Sequence, residues 1–246
     1  MQVTALTMFQ LKIHPRQTAL FFLAFVILLT VLHSIAQTVL IYTGNQDLMD
    51  ITRYVDLDIE KNIPSLYSGF ALILSSLLFF CISSLEKKQG RKRYYWLGLA
   101  AVFLFLSLDE AFILHERLGD YTEKYIKSTG SLEASGLLYF PWIIPYSILM
   151  TILGLLYFRF IFRLPRKTTV LLVLSAIIFL SGAAGFDMLG GREADLHGYY
   201  TITYTVLYTI EEFLEMSGVV LLIYTLLDYI NQRFGQLCFS LEVQES

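Results

Sequence analysis

The sequence predicts an all-α integral membrane protein, a single domain over residues 1–246 built as a bundle of six transmembrane helices. Three observations lead there. Hydrophobic residues make up 56% of the 246, more than an ordinary soluble domain carries. Six stretches hold the roughly 20 apolar residues that a helix needs to cross a hydrocarbon core about 30 Å thick. Lysine and arginine collect between alternate stretches, as they do on the cytoplasmic side of a multi-span protein. The formal net charge of −3 gives no footing for a nucleic-acid partner. The expected partner is the lipid bilayer, and no pattern speaks to an oligomeric state.

The first span covers 17–42. Lys12 and Arg16 precede it, and Ser34-Ile35-Ala36 faintly resembles a cleavage site. The apolar run nevertheless continues through Thr38–Tyr42, longer than the core of a signal peptide, so the span reads as a retained helix. Residues 43–65 are acidic and mildly amphipathic, and form either a short surface helix or a solvated loop. The second span, 66–85, ends against the basic run KKQGRKR. The third, 94–118, is interrupted by Asp109 and Glu110 but is carried by its flanking apolar runs. Residues 119–138 read as a plain exposed connection.

Pro141 and Pro145 open the fourth span, 139–163, where they begin or kink a helix. RFIFRLPRK closes it. The fifth span, 169–190, carries Gly182, Gly185, Gly190 and Gly191 around Asp187, which reads as ordinary close helix packing. Tyr199, Tyr200 and Tyr204 form an aromatic belt at the start of the sixth span, 203–230. Twelve of the eighteen lysines and arginines fall in segments that lie inside if both termini are cytoplasmic. The expected location is therefore the inner (plasma) membrane in that orientation. Cys81 and Cys238 then lie near the inner face, where no disulfide is expected. No repeat, low-complexity tract or long linker divides the chain.

The feature that asks for a function is a set of seven carboxylates within or at the ends of the spans. Asp109, Glu110 and Glu116 belong to SLDEAFILHERLG, Asp187 to GAAGFDMLGG, and Glu211, Glu212 and Glu215 to YTIEEFLEMSG. A charge at the bilayer centre costs roughly 2.5–3.5 kcal/mol on insertion scales. Counted at 1.5 Å per residue from the inner end of each span, all seven, and His33 on the first span, fall about 22–33 Å up. They share one layer in the outer third of the core. On an unbroken helix Asp109 and Glu116 are nearly in line, and Glu110 and His115 are splayed away from them. Glu211, Glu212 and Glu215 converge on one face of the sixth span.

Three readings follow. In the first, Asp109, Glu116, Glu211, Glu215, Glu212 and His115 are metal ligands, with Glu110, Asp187, His33 and His197 in a second tier. Carboxylates with one or two imidazoles suit zinc, iron or manganese, as a single ion or a di-metal centre. The chain would then be a metal-dependent enzyme acting on a lipid or small amphiphile. Its Glu212-x-x-Glu215 lacks the histidine of the di-iron Glu-x-x-His motif, and no Gly-rich phosphate loop, HExxH or G-x-S-x-G is present. In the second reading the acids relay protons or cations across the membrane, although the inner halves of the spans lack charge. In the third they form a structural polar network, neutralised in part by Arg117 and Arg192.

LDEAFILHERLG, the PW-x-x-P start of the fourth span and YTIEEFLEMSGVVLLIYTLLDY together resemble the signature of a group of uncharacterised bacterial multi-pass membrane proteins, over roughly residues 94–230. That resemblance implies the multi-span fold and no activity. The alkaline-ceramidase-like membrane hydrolases, which bind zinc through several histidines and an aspartate, carry an H-x-x-x-H pair that is missing here.

Overall fold

A computed structural model describes residues 7–44, 48–130, 134–235 and 238–243, with side chains over 12–44, 48–130 and 134–235. Among these residues six helical stretches are long and apolar enough to cross a membrane. They are α1 (Pro15–Thr43), α3 (Ile63–Lys88), α4 (Tyr94–Phe112), α6 (Ile143–Ile161), the continuous run Arg166–His197, and α9 (Ile202–Phe234). The run Arg166–His197 is itself built of α7 (Arg166–Leu180), a π-helical turn (Ser181–Phe186) and α8 (Asp187–His197). Large apolar side chains such as Phe21, Leu28, Leu77, Leu155 and Ile177 stand exposed along these helices. Such a surface is stable against lipid and not against water.

The bundle is organised around α9, against which α1, α3 and α7 pack. Buried residues make up 61% of its most apolar stretch, against 6% for α6, which is therefore a peripheral helix. Two glycines, Gly182 in the π turn and Gly218 on α9, set how closely α9 meets α7 and the turn that follows it. A Cβ on Gly182 would lie 2.6 Å from the Glu211 carbonyl oxygen, and one on Gly218 would lie 2.7 Å from the Phe179 nitrogen. Only glycine permits that approach. Ser175 adds to it by donating to the Gly218 carbonyl at 2.8 Å. Ser76 similarly donates to Ala100 O at 2.7 Å between α3 and α4, while Ser75 bonds Ala71 O within its own helix. Below them the core is apolar, with Phe79, Ile82, Trp96, Ile223, Leu226 and Ile230 almost wholly buried.

The end of the bundle near Lys88 and Arg233 is held by a satisfied ion cluster. Glu86 is buried, accepts from the Tyr229 hydroxyl at 2.9 Å and from Arg233 Nε at 3.2 Å, and lies 3.8 Å from Arg91 Nη1. Lys167 Nζ meets Asp228 Oδ2 at 2.7 Å beside it. At the same end β1 (Thr7–Lys12) pairs antiparallel with β2 (Cys238–Val243), Thr7 opposite Val243 and Lys12 opposite Cys238. Cys81 is free, and the side chain of Cys238 lies outside those described.

Several elements depart from the sequence expectation. The third span stops at Phe112. Ile113 takes a left-handed conformation (φ 55°, ψ 50°), and a new helix, α5 (Leu114–Thr129), follows it. The stretch 119–138 is thus largely helical and not a plain connection, leaving aside 131–133, which lie outside the described residues. The amphipathic character of α5 explains this: it buries Gly119 and Ile126 and exposes its charged side. The segment after α1 contains only a short helix, α2 (Met49–Thr52), and then folds back. Asn62 caps α3 by accepting from Ser65 N at 3.2 Å, and its amide donates to the carbonyls of Arg53 and Asp56.

These close approaches predict a clear stability contrast. Gly182→Ala and Gly218→Ala should each destabilise the protein by about 1–3 kcal/mol through overpacking. Gly154→Ala, which meets no atom within 4 Å, should be neutral or stabilising by up to about 1 kcal/mol. Thermal unfolding of the three variants in detergent checks the order.

Candidate functional site

The acid-bearing ends of the helices surround a cavity of about 580 Å³. Its walls come from five places. Asp109 and Glu110 sit in the last turn of α4. His115, Glu116, Asp120 and Glu123 come from α5, and Asp187 from the first position of α8. Glu211, Glu212 and Glu215 come from α9, and Asp58 and Glu60 from the segment that folds back before α3. Eleven carboxylates therefore line one space, and Arg117 and His115 are the basic groups among its lining residues.

Local backbone events aim these side chains. The Ile113 break turns α5 across the end of α4. Asp109 Oδ1 then accepts from the His115 backbone N–H at 2.7 Å, satisfying one of the first-turn amides that a helix start leaves without partners. A β-branched residue in the left-handed region is strained, and here it is held where two helices meet the cavity. The π turn at Ser181–Phe186 similarly ends at Asp187. Such turns insert a residue into the helical register and recur at functional sites.

The His115 ring sits between two acids. Its Nδ1 is 3.5 Å from Asp109 Oδ2, its Nε2 is 3.6 Å from Glu60 Oε1, and it meets the Trp142 ring edge-on at 5.4 Å between centroids. Burial lowers the proton affinity of His115, but Asp109, Glu60 and Glu116 outweigh it and leave the ring more basic than usual. Burial likewise raises the Glu60 carboxyl, partly offset by His115. Asp58 keeps open surface as a residue, yet its carboxyl is tied to the Tyr204 hydroxyl at 2.8 Å. Exclusion of water raises it to about 6, against the pull of that hydroxyl, and the charges of Asp56 and Glu116 add to the rise.

Two oxygens in this acidic wall are buried without a hydrogen-bond partner: Asp187 Oδ2 and Glu60 Oε2. Asp187 is only 7% exposed. Unpartnered buried polar atoms are rare in native proteins and call for an explanation. At an effective dielectric of about 20, two like unit charges 4 Å apart repel by about 4 kcal/mol. So many carboxylates facing two basic groups therefore need further positive charge, as protons or as cations.

Of the residues singled out from the sequence, Asp109, Glu110, His115, Glu116, Asp187, Glu211, Glu212 and Glu215 all line the cavity. His115 does so after the helix breaks at Ile113, where an unbroken helix would have turned it away, and Glu110, upstream of the break, lines the cavity from α4 beside Asp109. His33 and His197 do not line it. His33 is fully buried, its Nδ1 accepting from Leu57 N–H at 3.2 Å and its Nε2 3.1 Å from Thr209 Oγ1. The proton therefore sits on Nε2. Asp56, held by Gln37 at 2.9 Å and Tyr208 at 3.4 Å, completes this network. It pins the segment before α3 to α1 and α9. His197 is exposed and pairs with Glu193 at 3.1 Å. Arg192 does not reach the lining, while Arg117 does.

Asp58 and Glu60 were not found by reading the spans. They belong to VDLDIE, where acids recur at every second position. That period puts carboxylates on one side of an extended segment and not on a helical stripe. Among the described residues no three histidine, cysteine or acidic side chains already stand close enough together to enclose a metal ion.

Residues 19–229 match the model of a family described as a domain of unknown function (DUF8692), and the chain belongs to that family. No curated protein and no solved structure matches it.

The protonation of Asp58, Glu60 and His115 fixes a sign for pH dependence. Asp58, Glu60 and His115 all hold protons more tightly folded than unfolded, so stability falls as pH rises. The His115 contribution is complete below its usual value of 6.5 and is lost above it. That of Asp58 is complete below 3.8 and is lost as the pH climbs through about 6. The melting temperature in detergent should drop between pH 5 and 8, and Asp58→Asn should flatten the lower part of the drop. A melting temperature that climbs over this range would contradict the assignment.

Proposed function

We propose that this member of the family is a cation-dependent membrane enzyme. Its acidic cavity would hold a divalent metal (zinc, iron or manganese, singly or as a pair) and act on a lipid or other amphiphile. The observation that carries the reading is Asp187. It is more than nine-tenths buried, lines the cavity, and leaves one carboxylate oxygen without a partner. Where the chain does use polar groups structurally, at Glu86 and around His33, each has its partners.

The donor set fits the metal. Carboxylate oxygens on facing helices with one imidazole suit these ions. Asp187, Glu211 and Glu215 would hold it from one wall, and Asp109 and His115 from the other. Because no three donors already converge, the long glutamate side chains must turn inward to complete the shell. A bound ion would supply Lewis-acid activation of water or of a substrate oxygen. Paired with Asp109 and Glu60, His115 is placed to take up or release a proton beside it.

The bias of basic residues supports an outward-facing cavity in the plasma membrane, with both ends of the bundle's chain in the cytoplasm. A transport route finds no support below the acids. Ser75, Ser76 and Ser175 spend their hydroxyls on backbone carbonyls, and the core beneath them is apolar.

Metal analysis of protein purified without chelator tests the reading. At least one equivalent of divalent metal is expected per chain. Asp187→Asn and Glu211→Gln, which keep side-chain shape, should lower it at least tenfold without unfolding the protein. Background metal in the unaltered protein would overturn the proposal.

A further inference from the structure

We infer that the amphiphile received by this cavity carries a cationic, amine-bearing headgroup. The inference rests on reading the cavity as a cation-receiving site, and does not require that the resident cation be a metal. A cavity of about 580 Å³ is the size of a small-molecule site, far larger than one ion and its ligands need. A divalent metal held by four to six donors offsets two charges in a wall of eleven lining carboxylates and leaves the wall in acidic excess. An anionic headgroup would add to the excess, and an uncharged one would leave it unchanged. An ammonium group reduces it, and it also supplies hydrogen-bond donors to those carboxylates that are ionised. Asp187 Oδ2, buried and unpartnered in that wall, is an acceptor waiting for such a donor.

The remaining lining is chemically matched to the same group. Trp142 and Tyr146 stand edge-to-face at 5.4 Å on one side, and Tyr204 and Tyr208 lie 5.3 Å apart on another. Aromatic walls beside carboxylates attract organic cations through the ring quadrupole, and remain compatible with the methylenes next to the charge. The tail also has a place to go. Trp142 and Tyr146 stand at the start of α6, whose outward side chains Ile148, Ile152 and Leu155 are exposed. The aromatic wall is thus one helix away from lipid. A headgroup in the cavity leaves its chain in the bilayer.

Tryptophan emission tests this directly, because Trp142 lines the cavity while Trp96 is buried in the core. Purified protein with EDTA at neutral pH would be titrated with octylammonium, octyl sulfate and octyl glucoside. A saturable emission change and a rise in melting temperature are expected with the ammonium alone. The emission change should vanish in Trp142→Phe. The apparent affinity should fall at least tenfold in Asp187→Asn/Glu211→Gln. The melting shift of the unaltered protein serves as the readout if Trp142→Phe does not fold. Equal responses to the ammonium and the glucoside would overturn the inference. Metal binding without any ammonium response would overturn it while leaving the cation-receiving cavity standing. Failure of both metal and ammonium to bind would overturn the two together.

Discussion

The backbone-to-backbone approach of α7 and α9 is the constraint on which the rest of the bundle depends. Two glycines, Gly182 and Gly218, allow the helices to meet where any side chain would collide with the facing backbone. In lipid, apolar surface gives no driving force for association, so such close packing and interhelical hydrogen bonds must supply it. The contact also fixes function-bearing geometry. It sets Glu211 and Glu215 against the π turn and brings Asp187 to the same wall of the cavity. With α9 fixed, α1 and α3 pack on its other sides, and α4 follows α3.

The two ends of the bundle treat acidic groups in opposite ways, and each helps to interpret the other. Glu86 is as deeply buried as any acid among the described residues, yet two arginines and a tyrosine surround it. Breaking a buried pair of this kind typically costs about 3–5 kcal/mol because a lone charge is left behind. The sequence therefore has basic residues available for neutralising buried carboxylates, and places them at the other end. In the cavity, Arg117 and His115 face eleven acids. The imbalance is local and not a consequence of composition, since the whole chain carries a formal charge of only −3.

The spans and the shared layer of acids were legible in the sequence because hydropathy and the helical rise are nearly context-free in a bilayer. Span ends needed more. Nothing in LDEAFILHERLG announces that Ile113 will take a left-handed conformation, since an isoleucine there contradicts local preference. The break is maintained by Asp109 capping α5, a contact between side chain and backbone that periodicity does not encode. Asp58 and Glu60 escaped because attention to helices hides a segment with a period of two. The fold-back that carries them depends on Asn62 and on His33 accepting from Leu57. His33 itself is an imidazole at the right height whose nitrogens serve the fold. Height along the spans was a good guide to the carboxylates and to His115, and misled only for His33.

The ribbon formed by β1 and β2 has a mechanical meaning for the whole assembly. It ties the start of α1 to the end of α9, two helices that also pack along one another. The lateral pressure of the bilayer therefore meets a barrel of staves with one firmly laced seam. The least buried stave is α6, held near one end by Trp142 and Tyr146 and near the other by Tyr157 and Phe160 against Tyr95 and Trp96, with its middle facing outward. The stretch of that stave between its two aromatic anchorages is the part of the barrel with the fewest buried side chains.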